Sequence, residues 1–262
     1  VTSSIKSVHR LLRANGGFRA FFRGLSIYVA QGLCTSILVG IFSGALGGLF
    51  SPLATLLASL TLVQFSTAWV HIVMTPSSPK HFWSRLPPFR RAFEATWRPV
   101  AIYWLAAEVT RWAPFLLLST AMPWPELDES GNLKPMPKED YQNFAGLGSG
   151  AFLLSVFCSV FLVLPAHVIL TRVQASLLPV EEDTIIPFDR SFEGKVEPAI
   201  VGGRGYATIA DAWATYSRSA WRRLIWLHVK IALVTIAFGI LAVIVLVPQV
   251  FAVMANAKEI KS

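Results

Sequence analysis

Apolar residues dominate five long stretches of this chain, and most charged residues fall in the segments between them. Asp, Glu, Lys and Arg are absent between Arg23 and Lys80, between Asp140 and Arg172, and between Lys230 and Lys258. A water-soluble fold has to hydrate its surface and does not withhold charge over such lengths. The pattern predicts membrane spans near Leu25–Phe50, Leu53–Thr75, Pro99–Met122, Phe144–Thr171 and Leu224–Val253. Each meets the roughly 20 residues that a hydrocarbon core of about 30 Å requires. Ser51-Pro52 reads as the tight turn of a helical hairpin.

Between the spans the period changes. Thr2 to Arg23 reads as a basic amphipathic helix, with Ile5, Val8, Leu11 and Leu12 on one face and Lys6, Arg10 and Arg13 on another, broken at Gly16-Gly17. The linker from Pro76 to Arg98 sets Lys80, Arg85, Arg90, Arg91 and Arg98 against Glu94 alone. The loop after the third span is acidic, with Glu126, Asp128, Glu129, Glu139 and Asp140, and a long polar segment runs from Arg172 to Arg223. Five crossings put the N-terminal helix, the linker and the polar segment on one face. The short basic flanks all fall there, as the positive-inside rule requires. The expected fold is therefore an all-α membrane protein of five transmembrane helices, with amphipathic helices on the basic face and termini on opposite sides. Its parts are residues 1–24, a four-span block at 25–171, the polar segment at 172–223, and the last span and tail at 224–262.

Composition agrees: the 262 residues are 54% hydrophobic and only 15% charged, with a mean hydropathy of +0.55. Soluble domains carry about a quarter charged residues. The net charge of +8 does not point to nucleic acid, because the basic residues flank apolar segments and form no compact basic domain. Cys34 and Cys158 sit inside apolar segments and are poor disulfide partners. Val1 stands where an initiator Met would be, which gives the expectation of an upstream portion.

The spans also repeat. The second ends in His71-Ile72-Val73-Met74-Thr75 and the fourth in His167-Val168-Ile169-Leu170-Thr171. Each is followed by a polar stretch and then an aromatic-Arg pair, Trp97-Arg98 or Trp221-Arg222, and Phe18-Arg19 precedes the first span. Gly16-Gly17-Phe18-Arg19-Ala20-Phe21-Phe22-Arg23-Gly24-Leu25 is similar to the stretch before an even-numbered helix of the mitochondrial carrier family. Pro165-Ala166-His167-Val168-Ile169-Leu170-Thr171-Arg172-Val173-Gln174 is similar to that family's signature at the end of an odd-numbered helix. The resemblance covers most of the chain and implies helix-pair repeats, with the mitochondrial inner membrane as the compartment. The signature places an acid two residues after Pro165 and a base three further on. His167 and Leu170 stand there, and Trp69, His71 and Met74 stand at the matching positions of the other repeat. In such carriers the paired charges form a gate of salt bridges, so the resemblance implies the fold without that gate. Ala68-Trp69-Val70-His71-Ile72-Val73, Ser78-Pro79-Lys80 and the stretch from Pro187 to Val196 also resemble an uncharacterised family of fungal multi-pass membrane proteins.

Few residues carry candidate chemistry. Glu108 and Arg111, three apart on the third span, share a helical face and form an intramembrane polar pair that marks either a solute path or a helix contact. His71 and His167 lack the further ligands of a zinc site, and interfacial histidines bonded to backbone or water are the preferred reading. Gly40, Gly44 and Gly48 form a small-residue stripe that admits another helix, within the chain or from a partner. The tryptophans at span ends, Trp69, Trp97, Trp104, Trp112, Trp124, Trp221 and Trp226, read as interfacial anchors. Val201-Gly202-Gly203-Arg204-Gly205-Tyr206 lacks the context of a phosphate loop, and Glu181-Glu182-Asp183 reads as a solvated acidic patch. No nucleophile-base-acid set stands out, and no enzyme activity, cofactor or metal is expected. Two functions remain: a non-catalytic accessory or scaffold protein that binds membrane lipids or a larger membrane complex, and a small-solute carrier with a non-standard gate.

Overall fold

The computed structural model describes residues 5–121, 138–197 and 201–259. The expected acidic-loop residues Glu126, Asp128 and Glu129, together with Trp124, lie outside them. The described residues are helical, without strands. In order they form α1 (Ile5–Ala14), a 3-10 turn (Gly17–Phe22), α2 (Leu25–Leu46), α3 (Ser51–Thr61), α4 (Val63–Met74), α5 (Phe89–Ala121), α6 (Lys138–Cys158), α7 (Leu164–Ser176), α8 (Ile209–Ala214) and α9 (Arg218–Glu259). The chain divides into two compact units, 1–215 and 216–262.

Three helical stretches are long and apolar enough to cross a membrane: Gly17–Leu46, Gly146–Ser176 and Arg218–Leu246. A fourth candidate is the bent pair Gly48–Thr61 and Val63–Met74. The expected second span is thus two helices that meet at Leu62 with a bend of 58°. The expected third span is also altered. It belongs to α5, a 33-residue helix that starts ten residues before Pro99 and holds Pro99 and Pro114 in its interior. This helix is long enough to cross but is not among the apolar candidates, since Glu108, Arg111 and the two prolines dilute its hydropathy. The long apolar helices are compatible with an integral membrane protein.

Local chemistry sets the helix ends. Gly24 caps α2 in the left-handed conformation, with φ of 82°. A Cβ there would stand 3.1 Å from the Trp69 ring and 3.1 Å from Val73, so glycine lets α2 start against α4. The hairpin turn expected at Ser51-Pro52 is made earlier, at Gly47 with φ of 88°. Pro52 lies in the first turn of α3, where its missing N–H is not needed. Pro165 likewise enters the first turn of α7, and the helix ahead of it widens into a π-turn at Ser159–Val163. That widening gives the proline ring room against the preceding carbonyls.

In the first unit, α5 packs on α3, α4, α6 and α7. Val63, Ala92, Val100 and Leu170 form one buried cluster where α4, α5 and α7 cross. Ala95, Ile169, Val173, Leu177, Phe192, Ala207 and Ala212 form a second, in which the segment after α7 folds back onto the bundle. Leu25, Tyr28, Val29, Leu33, Ile37 and Ile41 of α2 are exposed, as expected of a surface that faces acyl chains.

Candidate functional site

The polar chemistry of the first unit concentrates where α4 and α7 end. Helix α4 stops at Met74, and its last carbonyls need donors. Ile185 N–H donates to the Met74 carbonyl at 2.9 Å. Arg23 Nη1 donates to the Thr75 carbonyl at 2.9 Å, and its Nη2 to Asn15 O at 3.0 Å. Arg85 Nη2 donates to Thr75 Oγ1 at 2.8 Å and pairs with Glu182 Oε2 at 2.7 Å. Two arginines at a helix C-terminus also complement its dipole.

A second set of bonds ties α4 to α7. His71 is buried, and its Nε2 lies 2.9 Å from Gln174 O. A carbonyl only accepts, so that nitrogen carries the proton. Gln174 is buried as well, and its Nε2 donates to Ser66 Oγ at 3.0 Å. The reading of His71 as a histidine bonded to backbone describes its place here. His167 lies instead on the outer side, with its ring 5.4 Å from that of Tyr103. The two positions match in sequence and differ in setting, because α7 runs nine residues past His167 while α4 stops three past His71. Among the described residues no three His, Cys, Asp or Glu side chains converge.

The segment after α7 is folded over this junction. Arg190 donates to the carbonyls of Pro179 and Glu182, which holds Glu182 toward Arg85. Glu182 is therefore half of a tie to the linker, and not part of a purely solvated patch. Asp189 organises the turn that follows. Its carboxylate accepts from Ser191 Oγ at 2.6 Å, from Ser191 N at 2.9 Å and from Glu193 N at 2.7 Å. The Ser191 hydroxyl, then the Glu193 and Ser191 amides, hold the Asp189 carboxyl below the usual carboxylate range. Phe192 and Glu193 take positive φ angles of 51° and 59°, and that backbone turns Phe192 inward to 1% exposure. Arg172 stacks over the Phe192 ring at 5.0 Å and donates to Thr215 Oγ1 at 2.6 Å. Thr208 and Asp211 make a capping box that starts α8. The Thr208 hydroxyl holds the Asp211 carboxyl low in the same way.

The remaining candidates lie apart. Leu170, at a place where the carrier signature holds a base, is a core residue among Val63, Ala92 and Val100. Pro165 starts α7. Glu108 and Arg111 do pair, at 2.8 Å, with Trp112 Nε1 donating to Glu108 at 3.1 Å. Gly40, Gly44 and Gly48 have no described atom within 4 Å of a Cβ placed there, so no helix among the described residues of the first unit packs against the stripe. Trp104 donates to Pro52 O at 2.9 Å and so ties α5 to α3. The glycine-rich loop is held at Gly205, whose N–H donates to Glu197 O at 3.1 Å and whose carbonyl accepts from Arg91 at 3.2 Å. Sequence reasoning gave no role to Gln174, Phe192 or Asp189, although Gln174 closes the carrier-like stretch and the other two lie in the stretch from Pro187 to Val196, which is dense in turn formers and aromatics.

Comparison with models of known protein families, with curated proteins and with solved structures finds no match to this chain.

Proposed function

We propose that the chain is a non-catalytic integral membrane accessory or scaffold protein, with a carrier-like bundle held closed at its basic face. One observation carries the reading: α4 and α7 are tied by His71, Gln174 and Ser66, and the segment from Leu177 to Thr215 folds over their ends through Arg85–Glu182 and Phe192. A carrier that alternates access has to part helices at such a point. Here neutral hydrogen bonds and an apolar plug take the place of a ring of charge pairs. The carrier-like repeat layout favours five spans, with α5 as the additional one and its Glu108 neutralised by Arg111. It also favours the mitochondrial inner membrane, with membrane lipids and a larger membrane complex as partners.

The second reading, a small-solute carrier with a non-standard gate, draws on the buried Glu108 carboxylate in mid-helix. Reconstitution into liposomes with a panel of metabolites separates the two. The accessory reading expects no saturable uptake and co-purification with a large membrane assembly. Saturable uptake of one solute, abolished by Glu108→Gln, overturns it.

A further inference from the structure

The linker that follows α4 carries a hydroxyl set apart from others of its kind. Three Ser-Pro or Thr-Pro pairs occur in the sequence, beginning at Ser51, Thr75 and Ser78. Ser51 has helical dihedrals at the start of α3, a shape unlike the extended backbone that kinases hold in their substrate groove. Thr75 is 3% exposed, and its hydroxyl donates to His71 O at 2.8 Å while accepting from Arg85 at 2.8 Å. Ser78 is exposed in a non-helical stretch, and Pro79 biases it toward extended backbone. Its hydroxyl oxygen accepts from Lys80 N–H at 3.2 Å, which leaves a lone pair free for a phosphoryl group.

The surroundings of Ser78 suit the product of that transfer. Ser78 lines a cleft of about 390 Å³ together with Arg19, Arg23, Lys80 and Arg85, and no Asp or Glu is among the lining residues. Glu182 balances Arg85. Arg23 donates to the main-chain oxygens of Thr75 and Asn15, which fix its guanidinium without offsetting its charge. Arg19 and Lys80 are exposed and make no ion pair among the described residues. A phosphoserine carries about −1.5 to −2 charges at pH 7 and three strong acceptor oxygens. At Ser78 it would meet three unbalanced cations. Arg19 and Arg23 belong to the 3-10 turn and its C-cap, so their contact with a phosphate on Ser78 joins the linker to the segment ahead of α2.

We propose that Ser78 is a phosphoacceptor for a proline-directed serine/threonine kinase, and that Arg19, Arg23 and Lys80 receive its phosphate and lock the linker to the turn before α2. In the transfer the Ser78 oxygen attacks the γ-phosphorus of ATP. A new O–P bond forms as the bond from that phosphorus to the bridging oxygen of ADP breaks, and the hydroxyl proton passes to the catalytic base of the kinase. The test treats the full chain in detergent with such a kinase and ATP. Peptide mass spectrometry then locates the phosphate, and thermal unfolding reads its effect.

Phosphate should enter at Ser78 at least tenfold faster than at Thr75 or Ser51, and Ser78→Ala should remove it. The phosphorylated chain should melt about 2–4 °C higher, the shift expected of charge-assisted contacts in a chain of this size. Arg19 lies outside the kinase motif, so Arg19→Gln should leave the transfer rate unchanged and cut that shift by at least half. Molar sodium chloride should shrink the shift in the unsubstituted chain as well, which keeps the test independent of how the variant folds. Comparable transfer to Thr75, or none to Ser78, overturns the acceptor. A melt unchanged or lowered by phosphate on Ser78, or a shift kept in full by Arg19→Gln, overturns the cationic receiver.

Discussion

Arg85 and Glu182, 97 residues apart in the chain, meet at 2.7 Å beside the end of α4. The Arg85 side chain is 8% exposed and that of Glu182 is 35% exposed, so the pair straddles the boundary of the folded cap. Glu182→Ala leaves a nearly buried guanidinium with the Thr75 hydroxyl as its remaining side-chain partner. Truncating one member of a fully buried pair costs about 3–5 kcal/mol, and the partial exposure of Glu182 reduces this to about 1–2 kcal/mol. Thermal unfolding of the detergent-solubilised chain should show that loss. A cycle with Arg85→Ala should return a coupling of the same sign.

Phe192→Ala should release the cap while the bundle survives. Emptying a fully buried phenylalanine site costs about 3–5 kcal/mol, and here the loss falls on the contact with Ala95, Ile169 and Val173. Limited proteolysis should then cut between Leu177 and Thr215 with helical content nearly unchanged. Phe192→Leu should restore most of the protection.

The turn at Asp189 gives a pH dependence with a defined sign. Its folded carboxyl titrates below the ordinary 3.8, chiefly because the Ser191 hydroxyl bonds the charged form. The associated stability is complete above that ordinary value and is lost as pH falls through the lower folded one. Asp211, bonded by Thr208, moves the same way. Hydrogen exchange at the Ser191 and Glu193 amides should therefore lose protection below about pH 4 in excess of the change in intrinsic rate. Asp189→Asn should flatten that response, and an unchanged acid profile in the variant counts against the assignment.

Two kinds of glycine on α2 should behave oppositely. Gly24→Ala forces a left-handed residue against Trp69 and Val73 and should cost about 1–3 kcal/mol in thermal unfolding. Gly40→Leu and Gly44→Leu meet open space and should change the stability of the isolated chain by less than about 0.5 kcal/mol. If they disrupt co-purification with a membrane complex while leaving the melt unchanged, the stripe faces a partner.

How legible these features were in the sequence depended on their range. Runs without charge located α2, α7 and α9, because exclusion of charge is a property of each segment alone. The i,i+3 spacing located the Glu108–Arg111 contact for the same reason. The bend at Leu62 left no mark, as no proline or glycine stands there. The true start of α5 at Phe89 was hidden behind Pro99, which usually begins a helix and here lies inside one. Nothing local to His71 or Glu182 names its partner. Both depend on how α4, α7 and the returning segment pack, and the matching pentapeptides at His71 and His167 suggested an equivalence that the different helix lengths remove.

The ties at the α4 terminus also impose an order on biosynthesis. His71 precedes Gln174 by 103 residues and Arg85 precedes Glu182 by 97. At the roughly 5–20 residues per second of translation, α4 waits on the order of ten seconds for the groups that satisfy it. During that wait His71 of α4 and Arg85 of the following linker need water, an insertase or a chaperone as temporary partners. A ribosome stalled before residue 174 would thus expose a helix that is fully synthesised and lacks the groups that hold it in place.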